Sequence, residues 1–173
     1  YKIYGDSTIE LLYDDPYLLM DEGLEAPFGA VDRFAIELGV AGDDPRRVEA
    51  GILFELRYNL TAGHAFLPEE KLVNATAQLL SIEMETVSAA ISRLLEADRL
   101  ARSFLAGITV CYLPELYEAE TTCSERLLEL ASTRFPAPRD LEKMLRTVEA
   151  ESGMIYSEQQ REAIRAAATS GVL

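Results

Sequence analysis

Between residues 84 and 113 the chain changes from a helical period to a strand period, and this change restricts the folds open to it. Val87, Ala90, Ile91, Leu94 and Leu95 recur at i, i+3, i+4, i+7 and i+8, the stripe of one buried helix face. A helix is expected over residues 84–97. From Leu100 the period becomes two. Leu100, Arg102 and Phe104 alternate with Ala101, Ser103 and Leu105, and Ile108, Val110 and Tyr112 return after Ala106-Gly107. Two strands, 100–105 and 108–113, are expected about that turn. A further helix over 68–80 carries Leu72, Ala75 and Leu79.

Helix, helix, hairpin is the outline of a winged-helix unit, which reads DNA with its second helix. Here that helix exposes Glu83, Glu85, Glu96 and Asp98 against Arg93. Such a face suits a major groove badly, so the expected role is packing.

Charge extends this argument to the whole chain. The 173 residues carry a net charge of −14. Residues 1–60 hold 13 acids against 5 bases, residues 61–113 hold 6 against 4, and residues 114–173 hold 11 against 7. None of the three stretches has the basic footprint of a tight nucleic-acid binder. A hydrophobic share of 49% with 27% charged residues fits a globular chain. No apolar run approaches the ~20 residues of a membrane span, and no signal-peptide pattern is present. The expected compartment is the cytoplasm. Cys111 and Cys123 form no C-x-x-C pair, and the single His64 cannot complete a metal site with them, so both are expected to be reduced and buried. No nucleophile–base pair is evident. The paired acids Asp14-Asp15 and Asp43-Asp44 stand at helix starts, where capping accounts for them.

Residues 1–40 read as short helices. One covers about 7–13. Asp15-Pro16 opens another, with Pro16 at the first helical position. A loop spans 22–27, and 28–38 is helical up to Gly39. Asp44-Pro45 start a longer helix to about Leu60, with Val48, Ile52, Leu56 and Leu60 on one stripe and Leu53 beside them. Arg46 and Arg47, the only adjacent basic pair, fall in its first turn, either touching phosphate or solvated. Residues 114–132 form a helix opened by Pro114, with Leu116, Cys123, Leu127 and Leu130 on one stripe. Phe135-Pro136-Ala137-Pro138 breaks the chain. A linking helix over 140–151 carries Leu141, Leu145 and Val148 inwards. Finally, Ser157 and Gln160 form a capping box for a helix with Ala163, Ile164, Ala167 and Ala168 on one face. Ser170-Gly171 ends it, and Val172-Leu173 begin a strand-like run. A chain that starts at Tyr1 and stops there reads as an excised piece.

Several motifs occur in one order: Asp15-Pro16-Tyr17-Leu18-Leu19; Phe28-Gly29-Ala30-Val31-Asp32-Arg33-Phe34-Ala35 with Leu38-Gly39-Val40; Gly63-His64-Ala65-Phe66-Leu67-Pro68; Tyr117-Glu118-Ala119-Glu120; and Ser157, Gln160, Ala163 and Ile164 as S-x-x-Q-x-x-A-I. In this order they resemble the region before the motor of the RecD-like DNA helicases, the RecD/TraA family of superfamily 1 (exodeoxyribonuclease V alpha type). The resemblance implies a mainly α fold: a tandem helix-hairpin-helix bundle over 1–63, a winged-helix-like unit with a β-hairpin over 64–113, linking helices over 114–155, and the start of the ATPase domain over 156–173.

It further implies a parent that uses ATP and Mg²⁺ to move 5′ to 3′ along single-stranded DNA in recombination and repair. The partners implied are single-stranded and duplex DNA, a downstream motor domain in cis, and partner subunits. Gln160 is implied to read adenine, since an amide offers one donor and one acceptor side by side. The phosphate loop G-x-x-x-x-G-K-[ST] does not occur in these residues, so this region itself is expected to bind neither ATP nor Mg²⁺ and not to hydrolyse ATP, whatever its parent does. A helix-hairpin-helix unit aims backbone N–H groups at a DNA phosphate, and Phe28, Gly29, Arg33, Arg46 and Arg47 are its candidate DNA contacts. Glu25 and Pro27 stand where the family has glycines. The rival readings are an acidic structural or protein-interaction adaptor and a winged-helix DNA-binding regulator.

Overall fold

The computed structural model describes residues 5, 8–20, 24 and 26–171. The chain forms two compact units, residues 1–117 and 118–173. The expected strand at Val172-Leu173 lies outside the described residues.

The first unit opens with helix α1 (Thr8–Asp14), a 3-10 helix (Pro16–Met20) and α2 (Phe28–Glu37). Asp15 starts the 3-10 helix by accepting from the Tyr17 backbone N–H at 3.0 Å. Gly39, at φ +93°, turns the chain after α2 into a left-handed conformation that glycine tolerates. Helix α3 (Pro45–Leu60) follows, capped by the Asp44 carboxylate on the Arg46 N–H at 2.9 Å, with Pro45 where no donor is needed. Val48, Ile52, Leu53 and Leu56 are buried as the stripe requires. Leu60, the last residue of that stripe, is 40% exposed. It lies in the final helical turn, just before Gly63 redirects the chain.

Strand β1 (Phe66–Pro68), α4 (Glu69–Leu80), α5 (Met84–Glu96), β2 (Ala101–Leu105) and β3 (Ile108–Tyr112) complete the unit, with the first turn of α6 (Pro114–Ser132). The sheet is antiparallel in the order β1-β3-β2, with Leu67 opposite Cys111 and Ser103 opposite Val110. Ala106 and Gly107 both have positive φ, +48° and +89°, the signature of a two-residue hairpin loop whose twist matches its strands. The chain order α3, β1, α4, α5, β2, β3 is that of a winged helix, with α3 as its first helix. One core therefore runs across residue 63, from Val48, Ile52 and Leu56 to Leu72, Leu80, Val87, Ile91 and Leu94. In α4 the buried row is Leu72, Thr76 and Leu80, while Leu79 is 40% exposed. The buried row takes the i, i+4, i+8 phase, which places Leu80 inside in place of Leu79.

The second unit holds the rest of α6, α7 (Leu141–Ser152) and α8 (Glu158–Thr169). Leu145 is its one buried residue among those described, and Val148 is 45% exposed. Ion pairs link α7 to α8. Arg161 reaches Glu149 at 2.5 Å, and Arg165 bridges Glu142 at 2.7 Å and Glu158 at 2.8 Å. The Phe135 N–H donates to the Thr169 carbonyl at 2.9 Å, beside a bridge between Arg134 and Ser170. Cys123 is exposed, against the expectation of a core position: no described residue of α6 is buried. The α8 stripe is likewise only partly covered, with Ala163 and Ala167 exposed. No described helix is long and apolar enough to cross a membrane.

Candidate nucleic-acid interface

A phosphate is recognised by free donors at a surface, so the candidate residues are judged by what their donors already do. Gly29 and Arg33 lie exposed on α2. Arg33 has no ion-pair partner among the described residues, and a Cβ at Gly29 would meet nothing within 4 Å. Glu25 lies outside the described residues. Pro27 is the N-cap of α2 and makes no side-chain cap.

Phe28 is a core residue, 5% exposed and stacked on Phe54 with ring centroids 4.9 Å apart. It is not available to DNA. Arg47 is not available either. Its Nε and Nη2 donate to the two oxygens of Asp32 at 2.8 and 2.9 Å. Its Nη1 donates to the carbonyls of Gly42 at 2.7 Å and Leu80 at 3.2 Å. The sequence hides this because the partners Asp32 and Leu80 lie 15 and 33 residues away. One signal is present in the sequence: Arg47 sits one turn before Gly51 and beside Val48, on the buried side of α3.

Tyr17 completes the cluster, its hydroxyl donating to Asp32 Oδ1 at 2.8 Å. Burial and the Asp32 carboxylate push the phenol far above its ordinary range, which keeps it a donor. The Asp32 hydrogen bond holds the Arg47 guanidinium charged despite burial. The network ties the 3-10 helix, α2, α3 and the end of α4 together.

Arg46 remains half-open. It chelates Asp44, with Nε on Oδ1 at 3.0 Å and Nη2 on Oδ2 at 2.8 Å, and Nη1 donates to the Asp14 carbonyl. The Asp44 carboxylate already occupies the N-terminus of α3, where a phosphate would otherwise find free N–H groups. On α5, Arg93 is bonded to Glu49 at 3.0 Å. The surface that helix offers a groove is therefore acidic and neutral, as its sequence implied.

The other sequence motifs resolve into structural parts. Gly63, at φ +87°, makes the turn that leads to β1. His64 is exposed, and Leu67-Pro68 lie in the strand. Tyr117 meets Tyr112 edge-on at 5.4 Å. Ser157 and Gln160 make the full capping box: Gln160 Oε1 accepts from the Ser157 N–H at 2.9 Å, and Ser157 Oγ accepts from the Gln160 N–H at 3.3 Å. The adenine-reading amide implied by the resemblance thus has its oxygen engaged by the helix start. Among the described residues no group of three or more His, Cys, Asp or Glu is arranged to hold a metal ion.

Residues 1–66 match the family model described as the ATP-dependent RecD2 DNA helicase HHH domain. The match covers the Tyr17–Asp32–Arg47 network and all of α3, so in this part the chain is similar to a RecD-like helicase helix-hairpin-helix domain, which supports a RecD-like helicase N-terminal region.

Proposed function

We propose that this chain is an accessory region of an ATP-dependent, superfamily 1 DNA helicase that guides DNA past the motor or docks against it, in recombination or repair. The observation that carries the reading is the match over residues 1–66 to the helicase helix-hairpin-helix domain. The winged-helix order that follows supports it, because both modules are DNA-handling scaffolds. When bound by the parent, ATP with Mg²⁺ supplies the free energy of 5′ to 3′ movement. This chain's residues contribute a rigid frame, held by the Asp32–Arg47 pair, and exposed cations such as Arg33. The motor in cis, partner subunits and a cytoplasmic setting belong to the same proposal.

The net charge of −14 favours a second reading, an acidic adaptor that contacts protein and not DNA. Binding of a fluorescein-labelled single-stranded oligonucleotide, followed by anisotropy as salt is raised, separates the two. A helicase accessory binds at low salt and releases as salt rises. An adaptor gives no salt-dependent signal.

A further inference from the structure

The acids of this chain are spread widely, so stretches without them stand out. The longest stretch free of Asp and Glu is 99–114, sixteen residues between Asp98 and Glu115. The next is 56–68, thirteen residues between Glu55 and Glu69. Together they contain the whole three-stranded sheet. The first brings Arg99 and Arg102, the second Arg57.

The fold places Arg57 and Arg99 on the wall of one cavity of about 290 Å³, with Arg46 on the same wall. Leu18, Met20 and Leu53 supply its apolar lining. The acids of the wall, Asp15 and Glu49, are already engaged. Asp15 caps the Tyr17 N–H. Glu49 accepts from Arg93 at 3.0 Å, and from Arg99 only at 3.5 Å. Arg99 is 52% exposed at its side chain, and Arg57 has no ion-pair partner among the described residues. Once these internal pairs are counted, the wall retains two arginines whose donors are free or loosely held. They come from separate elements, α3 and the entry to β2, so their spacing is fixed by the core and not by a flexible loop.

We propose that this cavity is a phosphate subsite for a single-stranded nucleic-acid backbone, held by the guanidiniums of Arg57 and Arg99 with Arg46 at the rim. The inference rests on the helicase-accessory reading and names the surface that reading leaves open. A guanidinium pair suits a phosphate because each presents parallel N–H donors to two oxygens. A nucleic-acid backbone is favoured over a lone anion because Phe104, 70% exposed at the hairpin tip that follows Arg99 in the chain, offers a ring on which a base can stack; Arg102 between them is paired with Glu69 at 2.7 Å and is not counted among the donors.

The test is anisotropy of labelled oligothymidine with the 173-residue chain across a salt series, for the wild type, Arg57→Ala, Arg99→Ala, the double variant and Lys71→Ala. Each arginine variant is expected to weaken binding several-fold and to reduce the salt slope by about 0.7 for each phosphate no longer neutralised. Lys71→Ala, an equal change of charge at an exposed position of α4, is expected to keep the wild-type slope. Circular dichroism melts confirm that the variants fold. If the wild type binds and the arginine variants behave like Lys71→Ala, the subsite is wrong while the helicase reading stands. If the wild type shows no salt-dependent binding, both fail. Displacement of the oligonucleotide by millimolar inorganic phosphate at matched ionic strength would assign the cavity to a free phosphate and overturn the nucleic-acid proposal. No displacement supports it.

Discussion

Asp32 and Arg47 meet side by side, two N–H donors on two carboxylate oxygens at 2.8 and 2.9 Å, with 16% and 10% of their side chains exposed. The geometry is the bidentate one that makes an arginine–carboxylate pair both strong and directional. Removing one partner leaves the other charge buried without compensation. Asp32→Ala is therefore expected to destabilise the first unit by roughly 3 kcal/mol. Tyr17→Phe, which deletes one hydrogen bond to the same carboxylate, is expected to cost about 1 kcal/mol. Urea midpoints at neutral pH check both. Equal effects of the two variants would mean that the ion pair contributes no more than the phenol.

The same pair shows where sequence reading stops. Helix periods are legible because they are local: Val48, Ile52 and Leu56 announce a buried face within one helix, and the capping box and glycine stops fall within a few residues. The hairpin about Ala106-Gly107 is legible for the same reason. Strand β1 is not. Three residues ending in Pro68 show no alternation, and their partners, Val110 to Tyr112, lie more than forty residues on. Without β1, the role of α3 as the first helix of the winged unit is hidden too. Arg47 reads as a phosphate candidate because an adjacent basic pair looks solvated until Asp32 is placed against it. Phe28 reads as a DNA contact because a hairpin residue next to Gly29 looks presented, whereas Phe54 covers it.

Acid is expected to loosen the start of α3. Its Arg46 hydrogen bond is the largest cause holding the Asp44 carboxyl below its ordinary value. A carboxyl depressed by folding adds stability above its unfolded pKa, near 3.8, and that stability is lost as pH falls further through the folded value. The expected loss lies below about pH 4. Asp44→Asn keeps a capping oxygen but cannot titrate. Its stability is expected to change less steeply than the wild type from about pH 4 down to about pH 2, in urea titrations at a series of pH values. An identical slope would show that Asp44 does not carry this dependence.

The two cysteines are expected to differ sharply in reactivity. Burial, with Glu69 beside it, pushes the Cys111 thiol up to about 12, while Cys123 is exposed on α6. Only a thiolate attacks a disulfide reagent. Ellman's reagent at about pH 8 is expected to titrate one thiol quickly and the second only on denaturation. Cys123→Ser is expected to abolish the fast phase. A fast phase that survives this substitution would place Cys111 in contact with solvent.

Ala106 occupies φ +48° in the hairpin loop, a conformation that a side chain other than that of Asn or Asp adopts at a cost of about 1 kcal/mol. Ala106→Asn creates the Asn-Gly pair that this loop prefers. Thermal melts are expected to show a gain of about 0.5 kcal/mol. Ala106→Val, β-branched at the same dihedral, is expected to move the other way. A loss on Ala106→Asn would mean that the loop is held by contacts of the alanine methyl, not by backbone preference.

Gly51 sets two forces against each other at one position. A glycine inside a helix costs about 1 kcal/mol relative to alanine, so Gly51→Ala would ordinarily stabilise α3. Here a Cβ would lie 2.9 Å from Leu80 Cδ1 and 3.3 Å from Leu80 Cγ. Leu80 is 4% exposed and packed in the core, so it has little room to retreat. Overpacking of this kind costs about 1 to 3 kcal/mol. The steric term wins, and Gly51→Ala is expected to be destabilising by about 1 kcal/mol net. Leu80→Ala alone opens a cavity at a cost of about 3 kcal/mol. In the double variant the new methyl enters that space and the clash is gone, so the combined loss is expected to fall short of the sum by about 1 kcal/mol or more. Additive losses would show that α3 and α4 shift apart independently of this contact. A stabilised Gly51→Ala would show that helix propensity outweighs the approach of Leu80, and that this approach is not why glycine stands here.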